Sequence, residues 1–340
     1  MLSTSLYESK TLNHTLARLF SILVLFLLPY VLLDADRQIG RAMTLGLTGA
    51  LAITLLLIAY DYLRINGFLD LGVVPHIGTD EELLATVRGY INRARGGSYE
   101  PGHDASVVAA ILPVALTLVG RQFRLAVAIG VCSFVYLLGY SSSLVIWLAL
   151  FLCTFLLADH AWHSRIRLAT IFRLLVVVAV ALGLAEVLGV SGDLADKFVS
   201  TSYLDRANSF QDILVGGTKD QATFFTGYGP GGYMALDLGM VTNTFGGLIL
   251  DLGVFGFTLY ILIVVHAFFR ILKLRDPLFM AGFVAYAVVF LNAIGDYWFP
   301  THWLLFFYPC FALAASTRGT ANPATVSARF IVLPRSINVR

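Results

Sequence analysis

The sequence predicts an all-α fold, a polytopic transmembrane helical bundle of about nine spans, within a range of about eight to eleven. Apolar residues occupy 58% of the 340 positions and charged residues only 13%, whereas a soluble domain has roughly 25% charged residues. The mean hydropathy is +0.80. Apolar runs of about 15–24 residues recur, and these approach or reach the length that crosses a hydrocarbon core of roughly 30 Å. The composition therefore excludes an ordinary soluble domain.

The apolar runs divide the chain into spans of one integral membrane domain, residues 1–340. The predicted spans are 17–33, 43–60, 105–120, 124–139, 144–158, 167–189, 245–269, 277–295 and 302–317. Lys and Arg concentrate in one set of connections and in the tail 318–340, which the positive-inside rule assigns to the cytoplasm. The two long loops, about 61–104 and 190–244, are then expected to face outward, as is the N-terminus.

The first long loop contains a predicted amphipathic helix. Thr79 and Glu82 match the N-cap and N3 positions of a capping box, and apolar residues then recur at helical spacing. Arginines occupy or flank its polar side: Arg88, Arg93 and Arg95. They either extend toward lipid headgroups or contact the phosphates of a lipid-linked substrate.

The second long loop contains the segment GYGPGGY at residues 227–233. It formally includes GxGxxG, but no βαβ pattern surrounds it and Pro230 interrupts it, which argues against a dinucleotide site. The glycines instead favour a sharp turn that approaches a ligand closely. Upstream, Arg206 is suited to bind a diphosphate with its guanidinium. The alternative is a salt bridge with Asp205 or Asp212.

The span after this loop carries a carboxylate, Asp251, at intramembrane depth. Such a group costs several kcal/mol unless it is paired, protonated or in a wet cavity, so it is a functional candidate. Gly253 and Gly256 follow it and are expected to permit close helix packing. His302, at the outer turn before the last span, is expected to face the same compartment as the long loops.

The two segments together resemble a family of bacterial envelope proteins. GYGPGGY is followed by TNTFGGLILDLGVFG at residues 242–256, and Arg206 precedes Gly217 with ten residues between them. This order is similar to that of the O-antigen polymerase and ligase family, which includes the Wzy-type polysaccharide polymerases. The similarity covers about 200–260 best, extends more weakly over 105–190 and 275–317, and does not include the first hundred residues. Thr242 and Asp251 stand where the family commonly has His and Glu.

The resemblance implies glycosyl transfer at the outer face of the bacterial inner membrane, without cofactor or metal. The donor would be a glycan on undecaprenyl diphosphate, and the acceptor a second lipid-linked repeat unit (polymerase) or another carrier (ligase). The lipid bilayer, a flippase and a chain-length regulator would be its partners, and nucleic acid would not. The residues expected to act in catalysis are Arg206 for the diphosphate, with Asp212, Asp251 and His302 (besides Asp205) as alternative bases. Those expected to bind substrate are Gly217, Lys219, Gly229, Gly231 and Asn243, with Arg88, Arg93 and Arg95.

Two other functions are consistent with the sequence. A transporter or lipid flippase would show polar residues at mid-membrane depth, broken helices and internal repeats, whereas the predicted spans are almost wholly apolar and no repeat is evident. A non-catalytic component of a polysaccharide export assembly would fit Thr242 and the absence of an arginine after Ser143, where the family often has Ser-Arg.

Overall fold

The computed structural model describes nine α-helices and the short segments beside them. The described residues are 28–35, 37–73, 101–139, 141–163, 221–229, 244–293 and 300–316, with positions 20, 24, 94, 96 and 97. The helices are α1 (Leu28–Ala35), α2 (Arg37–Ile65), α3 (Pro101–Ala115), α4 (Arg124–Gly139), α5 (Ser142–His163), α6 (Gln221–Thr226), α7 (Thr244–Leu274), α8 (Pro277–Ala293) and α9 (Pro300–Ser316). Two 3₁₀ turns, Leu116–Leu118 and Arg121–Phe123, connect α3 to α4.

The helical membrane class is supported, but the nine-span count is not confirmed. Among the described residues the regular structure is entirely helical. Four helical segments are long and apolar enough to cross a membrane: Gln38–Ile65, Arg121–Gly139, Ser143–Trp162 and Thr244–Leu274. Three shorter apolar segments accompany them: Gly102–Leu118, Pro277–Leu291 and Thr301–Ala315. The predicted span 167–189 lies outside the described residues.

Local sequence signals account for several helix starts. Pro101, Pro277 and Pro300 each occupy the first position of a helix, where the missing N–H has no intrahelical partner to lose. Asp276 caps α8, since its Oδ1 accepts the backbone N–H of Leu278 at 2.9 Å and of Phe279 at 3.2 Å. A cap of this kind satisfies donors that the first helical turn leaves unpaired.

The core lies where α5, α8, α3 and α9 meet. Trp147 and Phe151 on α5 are fully buried and stack with ring centroids 4.9 Å apart. Tyr308 on α9 donates its hydroxyl hydrogen to the Ala110 carbonyl on α3 at 2.6 Å. Large apolar side chains face outward elsewhere, for example Leu56 (69% exposed) and Phe255 (68%). An outer surface of this kind is suited to contact lipid tails.

The helices alternate in direction, so residues from different helix ends meet at each end of the bundle. At one end the start of α2 meets the end of α9, where Gly40 lies against Ala314. The same end holds the contact between Tyr30 and Arg270 and the ion pair between Arg121 and Asp159. This is the end whose cations predict a cytoplasmic position. At the other end, His302 of α9 contacts Thr244 at the start of α7.

The path of α7 differs from the prediction of one regular span. Gly253 has φ 65° and ψ −172°, so the helical run is interrupted there. The run is apolar on either side of this glycine apart from Asp251, so a break was not predicted. The glycine lies against the backbone of Phe225 in α6 and of Gly227 just after it, which agrees with the expected close helix packing at Gly253.

Candidate functional site

The break in α7 leaves main-chain acceptors that a second segment satisfies. The carbonyl of Leu250 accepts the N–H of Tyr228 at 2.7 Å, and the carbonyl of Asp251 accepts the N–H of Gly229 at 3.0 Å. Because Gly253 leaves the helical conformation, these carbonyls lie where the regular bonding of the helix is disrupted. Pairing them is required at membrane depth, since an unpaired polar group in hydrocarbon costs several kcal/mol.

The two backbones approach so closely that only glycine fits at the crossing. A Cβ on Gly227 would lie 2.4 Å from the carbonyl carbon and oxygen of Asp251, and one on Gly253 would lie 2.3 Å from the carbonyl oxygen of Phe225. Both glycines also have positive φ, 71° and 65°, which other residues rarely adopt. The glycine-rich turn therefore lies directly against α7, and its expected approach to a ligand stays a prediction.

The short helix α6 leads into this crossing and packs against α7. Phe225 stacks at an inclined angle on Phe255, with ring centroids 5.7 Å apart. Phe224 lies edge-on to Phe225 at 5.4 Å. Phe225 and Phe255 remain 46% and 68% exposed. The turn is thus held on one side by main-chain hydrogen bonds and on the other by aromatic contacts that continue the apolar surface of the bundle.

Asp251 lies under the turn and its residue surface is 0% exposed. A carboxylate at this position must be compensated by neighbouring polar groups or be protonated. The main-chain carbonyl of Asp251 accepts a hydrogen bond from the N–H of Gly229, and that of Leu250 accepts one from the N–H of Tyr228. The two segments that the sequence singled out, the glycine-rich turn and the helix that carries Asp251, are therefore in direct backbone contact.

A second buried polar cluster lies near the start of α7. The Tyr286 hydroxyl is 2.9 Å from His302 Nδ1, 2.7 Å from Thr301 Oγ1 and 2.6 Å from Ser106 Oγ. The hydroxyls of Ser106 and Thr301 are 2.9 Å apart. His302 Nε2 is 3.2 Å from Thr244 Oγ1. We call these five residues the buried polar network.

The buried polar network joins four helices, since Ser106 belongs to α3, Thr244 to α7, Tyr286 to α8, and Thr301 and His302 to α9. Four of its members are 0% exposed, and Thr301 is 8% exposed. A satisfied network at low dielectric stabilises one arrangement of the helices that carry it. Asp251 follows Thr244 by seven residues, or about 10 Å along a helix. The network therefore fixes the start of the helix that carries the break.

Three of the predicted site residues are within the described structure. Gly229 and Asp251 are brought together by a main-chain hydrogen bond. His302 is fully buried, so the side chain expected at an outward-facing turn is instead enclosed by the network. Its assignment as a base stays a prediction. The other predicted site residues lie outside the described ranges: Arg88, Arg93, Arg95, Arg206, Asp212, Gly217, Lys219, Gly231 and Asn243.

Sequence reasoning missed most of the buried polar network. Ser106, Tyr286 and Thr301 are scattered single hydroxyls inside or beside apolar runs, where hydroxyls commonly bond to the preceding turn of their own helix. It also missed Asp104, whose Oδ2 accepts the N–H of Gly96 at 2.6 Å. Ser106, Thr301 and His302 share a position near the same predicted membrane boundary, which was the available signal. Tyr286 had no such signal, because it lies at the middle of the predicted span 277–295.

Comparison of the chain with family models, with curated proteins and with solved structures gave no match.

Proposed function

We propose that this chain is a membrane glycosyltransferase that polymerises lipid-linked oligosaccharide repeat units at the outer face of the bacterial inner membrane. The observation that supports it is the contact of the turn 227–229 with α7 at Asp251. These are the two segments on which the resemblance to the O-antigen polymerases and ligases depends. Because the two segments are in contact, residues that are separated in the sequence lie side by side in one candidate site.

The proposed reaction moves a glycan from undecaprenyl diphosphate to a sugar hydroxyl. The bond between the anomeric carbon and the diphosphate oxygen breaks, and the acceptor oxygen bonds to that carbon. The hydroxyl proton passes to a base, and the diphosphate leaves with the bonding electron pair. Cationic donors stabilise the developing charge of the leaving group, and Arg206 is assigned this task with Lys219 assisting.

Asp251 has two possible tasks in this scheme, which its variants separate. As the base it must come within hydrogen-bond reach of the acceptor, which requires the turn to move because the residue is fully covered. As a positioning residue it holds the break in α7 without meeting substrate. Asp251→Asn keeps the shape and removes the base, so activity survives only if the carboxylate has a positioning role.

The test is the polysaccharide profile of host cells that lack the chromosomal copy and carry a variant. Arg206→Ala is expected to abolish high-molecular-weight glycan while single repeat units still reach the surface. The matched control is Arg41→Ala, which removes a cation near the start of α2. Normal chain length with Arg206→Ala, at normal protein level in the membrane, would contradict the proposed role of Arg206.

The same cells distinguish the ligase alternative and the non-catalytic alternative. A ligase would leave full-length chains on the lipid carrier when the protein is absent. A non-catalytic component would be needed for product, yet both Arg206→Ala and Asp251→Asn would leave the product unchanged.

A transport function is the second candidate, and the broken helix favours it. Secondary transporters bind substrate at discontinuous helices near the bilayer midplane, and α7 combines an interruption at Gly253 with the buried Asp251. If the chain moves the lipid-linked unit across the membrane, its loss leaves single repeat units on the cytoplasmic leaflet. If it polymerises them, single units accumulate on the outer leaflet.

A further inference from the structure

An open recess lies at the end of the bundle opposite the start of α7. It has a volume of about 160 Å³ and is formed by the starts of α4 and α8 and the ends of α5 and α7. Its charged lining consists of Arg121, Arg124, Asp159, Arg275 and Asp276. At roughly 30 Å³ for each water molecule, the space admits a small hydrated anion.

Both carboxylates of the recess already have structural tasks. Asp159 is buried and forms an ion pair with Arg121 at 2.5 Å. Asp276 Oδ1 accepts two backbone N–H groups as the cap of α8. The three guanidinium groups exceed the two carboxylates by one charge. Because Asp159 pairs with Arg121, the two guanidinium groups of Arg124 and Arg275 face the single carboxylate of Asp276, so the recess carries a net positive charge.

The Arg124 side chain is held in place by a hydrogen bond to the backbone just before α4. The Nε atom donates to the Val119 carbonyl at 3.2 Å, and the side chain is half-buried. The two terminal nitrogens are the remaining donors of a guanidinium that lines the recess. A fixed guanidinium loses little freedom when it binds a second group, which favours bidentate contact with a phosphate.

Arg275 occupies a backbone conformation that favours glycine. Its φ is 51°, the one positive φ of a non-glycine residue among those the structure describes. The position follows α7, where Gly or Asn usually ends a helix. Strained residues persist where the surrounding structure holds them, and such positions often belong to binding sites. The exposed arginine places a cation at the opening of the recess.

The apolar surface beside the recess is suited to a lipid. Phe123 is 57% exposed and directly precedes Arg124, and Leu272 is 38% exposed in the last turn of α7. A cationic recess next to outward-facing apolar residues matches a phospholipid, whose phosphate and acyl chains require these two environments. The same cations also match free phosphate or diphosphate.

We propose that this recess binds a phosphate group, carried by an anionic phospholipid or free in solution as phosphate or pyrophosphate. It is a separate site from the turn on α7, since Gly253 and Leu274 are 21 residues apart, or about 30 Å along a helix. The proposal does not depend on the glycosyltransferase function.

The experiment uses the full chain in phosphatidylcholine nanodiscs, with and without phosphatidylglycerol. Native mass spectrometry counts retained phosphatidylglycerol, and thermal unfolding measures the effect of inorganic phosphate and of pyrophosphate. Arg124→Gln and Arg275→Gly are each expected to weaken binding about tenfold, the effect of one lost charge-assisted hydrogen bond. Lys273→Gln removes the same charge from an exposed neighbour outside the recess and is expected to bind normally.

Arg275→Gly distinguishes a binding role from a structural one. Glycine relieves the backbone strain, so this variant is expected to melt at the same temperature or higher without ligand, while it loses binding. Selective retention of phosphatidylglycerol identifies the lipid, and stabilisation by phosphate or pyrophosphate identifies the free anion. If the variants bind all three probes as the unmodified chain does, or if none of the probes binds, the proposal is wrong.

Discussion

Gly227 and Gly253 are the residues whose identity the site depends on most directly. Each lies against the backbone of the other's segment, with Gly227 opposite Asp251 and Gly253 opposite Phe225. Backbone cannot move aside as a flexible side chain can, so even one methyl group separates the two segments. The main-chain hydrogen bonds from Tyr228 and Gly229 would be lost with that separation.

We therefore expect Gly227→Ala to destabilise the folded chain by about 3 kcal/mol or more, through the positive φ and the overlap with Asp251 together. The measurement is thermal unfolding in detergent. Gly130→Ala is the control, because Gly130 is in α4 and a Cβ there meets nothing within 4 Å. That substitution is expected to stabilise the helix by up to about 1 kcal/mol. Equal effects of the two substitutions would contradict the crossing described here.

Tyr286 is the residue that holds the buried polar network together, since its hydroxyl reaches three partners. Tyr286→Phe leaves those partners buried with fewer hydrogen bonds. The expected loss is about 1–3 kcal/mol of stability. Tyr62→Phe, on the half-buried part of α2, is the control and is expected to change stability by less than about 0.5 kcal/mol. A neutral Tyr286→Phe would mean that the network does not stabilise the helix arrangement.

α7 differs from its neighbours because its backbone is both a scaffold and part of the site. Its first residue, Thr244, belongs to the buried polar network. Its middle is interrupted at Gly253 and is hydrogen-bonded to the 225–229 segment. Elsewhere in the bundle, two helices come into close contact at a small residue. Gly282 on α8 is the clearest case, because a Cβ there would lie 2.5 Å from Pro113 Cγ on α3.

Gly282→Ala is therefore expected to push α8 away from α3 and to destabilise the bundle by about 1–3 kcal/mol. Thermal unfolding with tryptophan fluorescence reports the change, because Trp147 is buried on α5, the main packing partner of α8. Gly46→Ala on α2 is the matched control, since nothing lies within 4 Å of its Cβ. If Gly46→Ala destabilises the bundle as much, the close contact between α8 and α3 is not the cause.

The bundle has two chemically different ends. One end has the arginine-lined recess, and the other has the buried polar network. Sequence counting of Lys and Arg predicts that the recess end is cytoplasmic. The described helices agree with that grouping, because Arg121 and Arg124 from the α3–α4 connection line the same recess as Arg275 from the α7–α8 connection. Which side of the membrane each end faces stays a prediction.

Cysteine labelling in whole cells tests the orientation. In a chain with Cys132, Cys153 and Cys310 replaced, Leu71→Cys is expected to react with an impermeant maleimide from outside. Leu71 is 66% exposed, beyond the end of α2. Lys273→Cys, exposed at the recess end, is expected to react only after the cells are opened. The reverse pattern would invert the predicted topology and place the recess outside.

Composition and the positions of single residues were sufficient for part of this description. The apolar runs locate the described helices other than α6, which lies in the predicted loop 190–244. Crossing hydrocarbon requires length and hydrophobicity, and both are visible in a local window of sequence. GYGPGGY and Asp251 were both singled out as candidates. The break at Gly253 was not predicted, since a glycine in an apolar run is compatible with an unbroken helix. His302 was expected to face outward because the sequence places it near a membrane boundary. The sequence does not show the direction of its side chain, which is buried.

Three properties could be predicted from the chain alone: the helical membrane class, the clustering of cations at one set of connections, and the two segments that form the candidate site. These properties follow from local composition and spacing. Three contacts became evident only from the packed helices. The turn 227–229 bonds to the carbonyls of Leu250 and Asp251, Ser106, Tyr286 and His302 share one network, and three arginines line one recess. The physical reason is that each of these contacts joins residues distant in the chain. Their approach is set by how whole helices pack, which no single stretch of sequence specifies.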